Sequence, residues 1–132
     1  MKNILFIIIT VIMFSCNSNS SYKTEYELKQ ELKELERENP VDKVSAKYSN
    51  WKNLVGEMVV EGDCFSSSDL TTFKDVQIRV NFLSNTNTHL GSEKFVIYEY
   101  LKPRSSVHFK QKFMVPREVK NVSLEIIDAS NI

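Results

Sequence analysis

A chain of 132 residues has room for one small domain once terminal segments are set aside. Lys plus Arg and Asp plus Glu number 17 each, so no net charge draws the chain to nucleic acid. The three glycines are too few for a phosphate-cradling loop, and of the two cysteines, Cys16 and Cys64, a modification of the first would leave the second without a partner for an internal disulfide.

Residues 1–15 read as a cleaved export signal: Lys2 beside the amino terminus, an apolar run over residues 4–14, and the small Ser15 before Cys16. The run is too short for a permanent membrane-spanning helix, which takes about 20 apolar residues. Residues 17–21 are Asn and Ser only and bury no apolar surface, so residues 16–23 are a tether. Residues 24–39 form a short amphipathic helix. Thr24 and Glu27 make a capping box, Glu25 and Lys29 an i, i+4 pair, and Pro40 stops the helix. Leu28, Leu32 and Leu35 share one face. A helix this short is marginal alone, so the stripe is expected to pack on the following domain, or failing that on a second copy. The Glu and Lys residues read as a solvated face.

From Val41 onward the period changes to two. Met58, Val60, Gly62 and Cys64 alternate with Glu57, Val59, Glu61 and Asp63, which gives a half-buried strand with a mostly acidic outer face. Val76, Ile78, Val80 and Phe82 alternate with Gln77, Arg79 and Asn81, and residues 84–88 form a turn. Residues 94–101 are apolar on both sides of a strand. Phe109, Gln111 and Phe113 alternate with His108, Lys110 and Lys112, and Val122, Leu124 and Ile126 with Ser123 and Glu125. Residues 44–48 make a weaker first strand. The fold expected is mainly β, an antiparallel sandwich over residues 41–132 preceded by the helix and the signal. Cys64 falls on the inward set and reads as a buried thiol.

Two resemblances add to this. Met13-Phe14-Ser15-Cys16 resembles a bacterial lipoprotein lipobox. It implies cleavage between Ser15 and Cys16, lipidation of Cys16 and membrane anchoring through that lipid. Asn17, where the family's inner-membrane retention signal has Asp, implies the outer membrane. The segments Val60-Glu61-Gly62, Val76 through Leu83, Leu101-Lys102-Pro103 and Val107-His108-Phe109 resemble the small immunoglobulin-like FxLYD-type domains of exported bacterial lipoproteins. Ser66 stands where that family tends to have Asn, and Arg104 where it tends to have Gly. This resemblance implies an immunoglobulin-like β-sandwich with no assigned activity.

No catalytic set emerges. His89 and His108 read as surface histidines without metal-ligand spacing, and Asp63, Asp69 and Asp75 do not match a calcium loop. The residues thus point to no catalytic, metal or cofactor site and to no enzyme. Trp51, Tyr98 and Tyr100 are the candidate partner surface, set against the expectation that the leucine helix covers the tyrosine strand. Arg79, Lys110 and Lys112 could line up as a basic stripe if their strands are neighbours. The function expected is a binding or assembly module of the envelope, its partner an envelope protein or a glycan and not nucleic acid. The alternative is an accessory subunit or small hydrolase with an unrecognised site.

Overall fold

The computed structural model describes residues 22–132; the Ser15–Cys16 cleavage position and the lipidation site lie outside the described residues. Helix α1 runs Glu25–Glu38. Its start is the expected box: the Glu27 amide donates to Thr24 Oγ1 at 3.3 Å, and the Thr24 amide to Glu27 Oε2 at 2.9 Å. Lys29 Nζ lies 2.6 Å from Glu25. Asn39 leaves helical geometry (φ −130°, ψ 69°), and Pro40 opens a one-turn 3-10 helix, Pro40–Lys43.

Six strands follow, all antiparallel. They are β1 (Val44–Lys52), β2 (Glu57–Ser66), β3 (Phe73–Leu83), β4 (His89–Ile97), β5 (Ser106–Met114) and β6 (Asn121–Asn131). Two three-stranded sheets result, ordered β1-β2-β5 and β4-β3-β6. Inward residues follow the period-two reading: Met58, Val60, Cys64, Phe109 and Phe113 from the first sheet, and Val76, Ile78, Val80, Phe82 and Phe95 from the second, join one core. Phenyl rings bridge the sheets, with Phe82 and Phe113 edge-to-face at 5.6 Å between centroids and Phe95 and Phe109 at 5.5 Å. Each such pair adds about 1 kcal/mol beyond its buried area. The arrangement is β-sandwich-like.

Gly62 lets β1 lie close on β2. A Cβ there would stand 2.0 Å from the Lys47 carbonyl oxygen and 2.7 Å from Tyr48 Cα. At the end of the sandwich where β2 finishes, Lys102 to Ser105 make a turn closed by the Ser105 amide on the Lys102 carbonyl at 3.2 Å. Arg104 there has φ +54°, the left-handed region that favours glycine. Its amide donates to the Ser68 carbonyl at 3.2 Å, and its Nε to Asp69 Oδ1 at 2.7 Å.

Two expectations are corrected. β4 begins at His89 and stops at Ile97, so residues 98–100 are not a strand. Leu101, 1% exposed, is drawn into the core and bridges Phe73 through a reciprocal pair of amide hydrogen bonds. Tyr98 and Tyr100 are thereby left outside, 79% and 62% exposed, and α1 does not cover them. The leucine stripe does not pack on the domain either: Leu28, Leu32 and Leu35 are 53%, 37% and 62% exposed. The helix docks instead through an acid from the supposedly solvated face. Glu36 is 1% exposed, and its carboxylate accepts from the amides of Asp69 (2.6 Å), Leu70 (3.1 Å) and Thr71 (2.9 Å). Arg37 Nη2 adds a bond to the Ile132 carbonyl at 2.8 Å. Three converging N–H groups, that of Thr71 buried and the others half-buried, need an acceptor, and leaving them unmet costs more than leaving three leucines half wet.

Three expected outcomes follow from these contacts. Gly62→Ala should cost about 3 kcal/mol in urea unfolding, because backbone and not a flexible side chain must move. Glu36→Gln should cost about 2 kcal/mol and speed hydrogen exchange of the Leu70 and Thr71 amides. Joint replacement of Leu28, Leu32 and Leu35 by Gln should change stability by less than about 1 kcal/mol, as surface substitutions do; a larger loss would mean that the stripe is buried.

Candidate functional site

The outer face of the first sheet carries the most ordered set of exposed side chains among the described residues. Registers put Trp51, Val59 and Lys112 in one row across β1, β2 and β5. Ser49, Glu61 and Lys110 form the next, and Lys47, Asp63 and His108 the third. Val59, on the outward set, is only 2% exposed. The face is therefore not a plain acidic surface.

His108 links the rows. Its Nδ1 is 3.1 Å from Asp63 Oδ1 and its Nε2 3.0 Å from Glu61 Oε1. An ionised carboxylate only accepts, so both contacts are hydrogen bonds only when both ring nitrogens carry protons. The bond to Asp63, then that to Glu61, raises the His108 pKa above its ordinary value, against the opposing effect of desolvation. Lys110 Nζ lies 3.9 Å from the other Glu61 oxygen and 5.7 Å from the Trp51 ring centroid. A continuous run of contacts thus leads from Asp63 through His108, Glu61 and Lys110 to Trp51. It fixes the tilt of side chains that would otherwise move freely, on a strand face open to solvent.

The predicted partner residues do not converge. Trp51, 41% exposed, is on this face, opposite Val59 near the start of β2. Tyr98 and Tyr100 follow β4, beside the Leu101–Phe73 bridge at the end where β2 finishes and β3 begins. Val59 and Ser66 are seven residue steps apart along β2, roughly 23 Å. The basic stripe does not form: Arg79 is in the other sheet, 3.2 Å from Glu125, and Lys110 is engaged by Glu61 and Trp51. His89 is exposed at the head of β4, in the opposite sheet from His108. Cys64 is 1% exposed, and burial pushes its thiol up to about 11, as the inward alternation required. Among the described residues no group of three or more His, Cys, Asp and Glu side chains could hold a metal ion. A concave feature among the described residues lies along α1 and its lead-in, between Tyr22, Tyr26, Gln30 and Glu34, and is lined by no residue of this face.

Sequence reasoning placed Glu61 and His108 outward but missed that they touch. The signal was present in the alternation of two strands; the missing fact was that β5 pairs with β2 in the register that sets Asp63 opposite His108. No family model, curated protein or solved structure matches the chain.

The proton on His108 gives a direct check. Its NMR titration midpoint should lie above the ordinary histidine value of about 6.5, and Asp63→Asn should lower it more than Glu61→Gln does. The raised pKa makes this contribution to stability fully present below about pH 6.5 and lost as pH rises through the folded-state value. A midpoint at or below the ordinary value would mean that the two carboxylate contacts do not form.

Proposed function

We propose that this is a lipid-anchored cell-envelope protein whose β domain binds or assembles with another envelope component, without catalysis. The observation that carries the binding role is the outer face of the first sheet: exposed, set in place by the His108 contacts, and displaying Trp51. Pre-set aromatic and charged side chains lower the ordering cost of association, and Trp is among the side chains that contribute most at interfaces. An envelope protein or a glycan suits such a face.

The finer fold reading is an immunoglobulin-like sandwich. The order β1-β2-β5 facing β4-β3-β6 corresponds to strands A-B-E and C′-C-F of that fold without its last strand. Two departures from the FxLYD-type pattern fit the geometry the family residues would serve. Arg104 holds the left-handed backbone that Gly would take most easily. Ser66 Oγ accepts from the Ser68 amide at 3.2 Å, the local bond that Asn side chains also make. Anchoring rests on residues 1–16: an apolar run, a small residue and a cysteine. A lipid there places the domain on a membrane surface, with Asn17 favouring the outer membrane. Among the described residues no helix is long and apolar enough to cross a membrane.

The test is affinity capture from detergent-solubilised envelopes, comparing the native chain, Cys16→Ala, and the outer-face variant Trp51→Ala with Lys110→Ala. Mass spectrometry of the native chain should find a lipid-modified cysteine at the amino terminus. The Cys16→Ala chain should lose the membrane fraction, and the outer-face variant should lose the partner while staying anchored. An unlipidated native chain removes the anchor; a partner retained by the outer-face variant removes the assigned binding face.

A further inference from the structure

The hairpin joining β1 to β2 ends in an unusual turn. Its two central residues are Leu54 and Val55, 107% and 73% exposed, where turns ordinarily carry Asn, Asp, Gly or Ser. The turn is firmly built. The Gly56 amide donates to the Asn53 carbonyl at 3.1 Å, and the Asn53 amide to the Glu57 carbonyl at 3.0 Å. Asn53 Oδ1 accepts from the amides of Val55 (3.1 Å) and Glu57 (2.9 Å), and Gly56 supplies the φ of +85° that closes the loop. The aliphatic pair is thus held out on a rigid, convex tip. It is not a loose loop that could fold its side chains back.

The neighbours extend the same chemistry. Trp51, 41% exposed, stands one step down β1, and Met114, 74% exposed, is paired with Glu57 at the end of β5. Lys52 Nζ reaches the carbonyls of Pro116 (3.5 Å) and Arg117 (3.3 Å), which brings the β5–β6 connection to the foot of the hairpin. Lys112, Arg117 and Lys120 are exposed around it. On the acidic side are Glu57, hydrogen-bonded to Asn53 Nδ2 at 2.7 Å, and Glu118. Three exposed cations, and Lys52 whose ammonium is held by two carbonyls, thus stand beside two carboxylates.

We infer that this end of the domain docks on an anionic lipid bilayer surface. Leu54 and Val55 enter the boundary between headgroups and acyl chains, Trp51 lies at headgroup level, and the cations meet the lipid phosphates. Aliphatic side chains at the tip, an indole behind them and a basic rim are the order in which a membrane interface accepts these groups. The shape favours lipid over a protein partner: a small convex tip fits a deformable surface without a matching pocket, whereas a stable protein interface needs about 800 Å² of complementary area per side. This inference draws on the membrane location proposed above but not on the lipid at Cys16, and its test separates the two.

Trp51 is the only tryptophan of the chain, so its emission reports on the outer face next to this tip, and the tip substitutions show which changes come from the tip. The chain, purified from envelopes as exported, is placed in vesicles of phosphatidylcholine and phosphatidylglycerol containing a lipid brominated near the headgroup. Trp51 emission should be quenched. The quenching should fall at least threefold in the Leu54→Asp, Val55→Asp variant, and also when phosphatidylglycerol is omitted. Leu54→Ser with Val55→Ser serves as a second, milder variant, and circular dichroism checks that both fold. Three results each overturn the inference: no quenching in the native chain, quenching that survives the tip substitutions or the removal of anionic lipid, and a blue shift without bromine quenching, which would assign the tip to a protein partner or a second copy. Absence of lipid at Cys16 leaves this comparison readable and counts only against the anchor.

Discussion

The two inner faces of this molecule can be buried only against each other, and everything else in the structure adapts to that. A domain of about 90 residues buries a modest fraction of its surface and is stable by a narrow margin. Cys64, the one cysteine among the described residues, is a free thiol inside the core, so no disulfide assists. The edge-to-face and tilted phenyl rings of Phe82, Phe113, Phe95 and Phe109 join the sheets, and Gly62 gives up its side chain so that β1 can lie close enough to close the layer. Strand alternation then leaves each outward residue free of core duty. That is why the His108 contacts and the Trp51 end can be specialised without disturbing the fold.

Helix α1 shows the same economy with polar atoms. The loop between β2 and β3 turns three successive amides inward, and Glu36 satisfies them all. Burial by itself would raise the Glu36 pKa; the hydrogen bonds from Asp69, Leu70 and Thr71 outweigh it and hold the carboxyl below its ordinary range. A depressed acid contributes stability above its unfolded value of about 4.3 and loses it as pH falls through the folded one. His108 behaves oppositely, contributing at low pH and fading as pH rises through its raised value. The two effects act on different contacts. Acid weakens the helix docking, while a rise of pH through the raised His108 value weakens the outer face, and the core between them holds only one titratable group, the Cys64 thiol, neutral until about pH 11.

What could be read from the residues divides along physical lines. Capping chemistry and Pro40 reported the helix limits, and periodicity reports the side of an element on which a side chain lies, so the inward Cys64 and the alternation within β3 were also legible. It does not report pairing. Asp63 and His108 are 45 residues apart, and nothing local announces that β5 lies against β2 in that register. Nor does it report a partner made of backbone. Glu36 looks like one more charge on an acidic helix because its acceptor role depends on three amides more than 30 residues away. The leucine stripe misled for a related reason: an apolar face shows what would gain from burial, not what is near enough to bury it. Tyr98 and Tyr100 misled because the burial of Leu101 against Phe73 ends the strand before them.

The resulting molecule has two chemically different ends. One end, around the β2–β3 loop, is filled from within by Glu36, Arg37 and the Arg104–Asp69 pair, and the chain enters there through α1. The other end carries Leu54 and Val55, satisfied by nothing in the described chain. Strand β2 joins the two ends over ten residues, roughly 33 Å. Helix α1, about 21 Å long from its 14 residues, docks at the first end, so the chain enters the domain at the end opposite Leu54 and Val55. The contacts of His108 with Asp63 and Glu61 lie between the two ends on the outer face, so a partner held there leaves the helix docking untouched, and only Trp51, next to the tip, is shared between that face and whatever the tip meets.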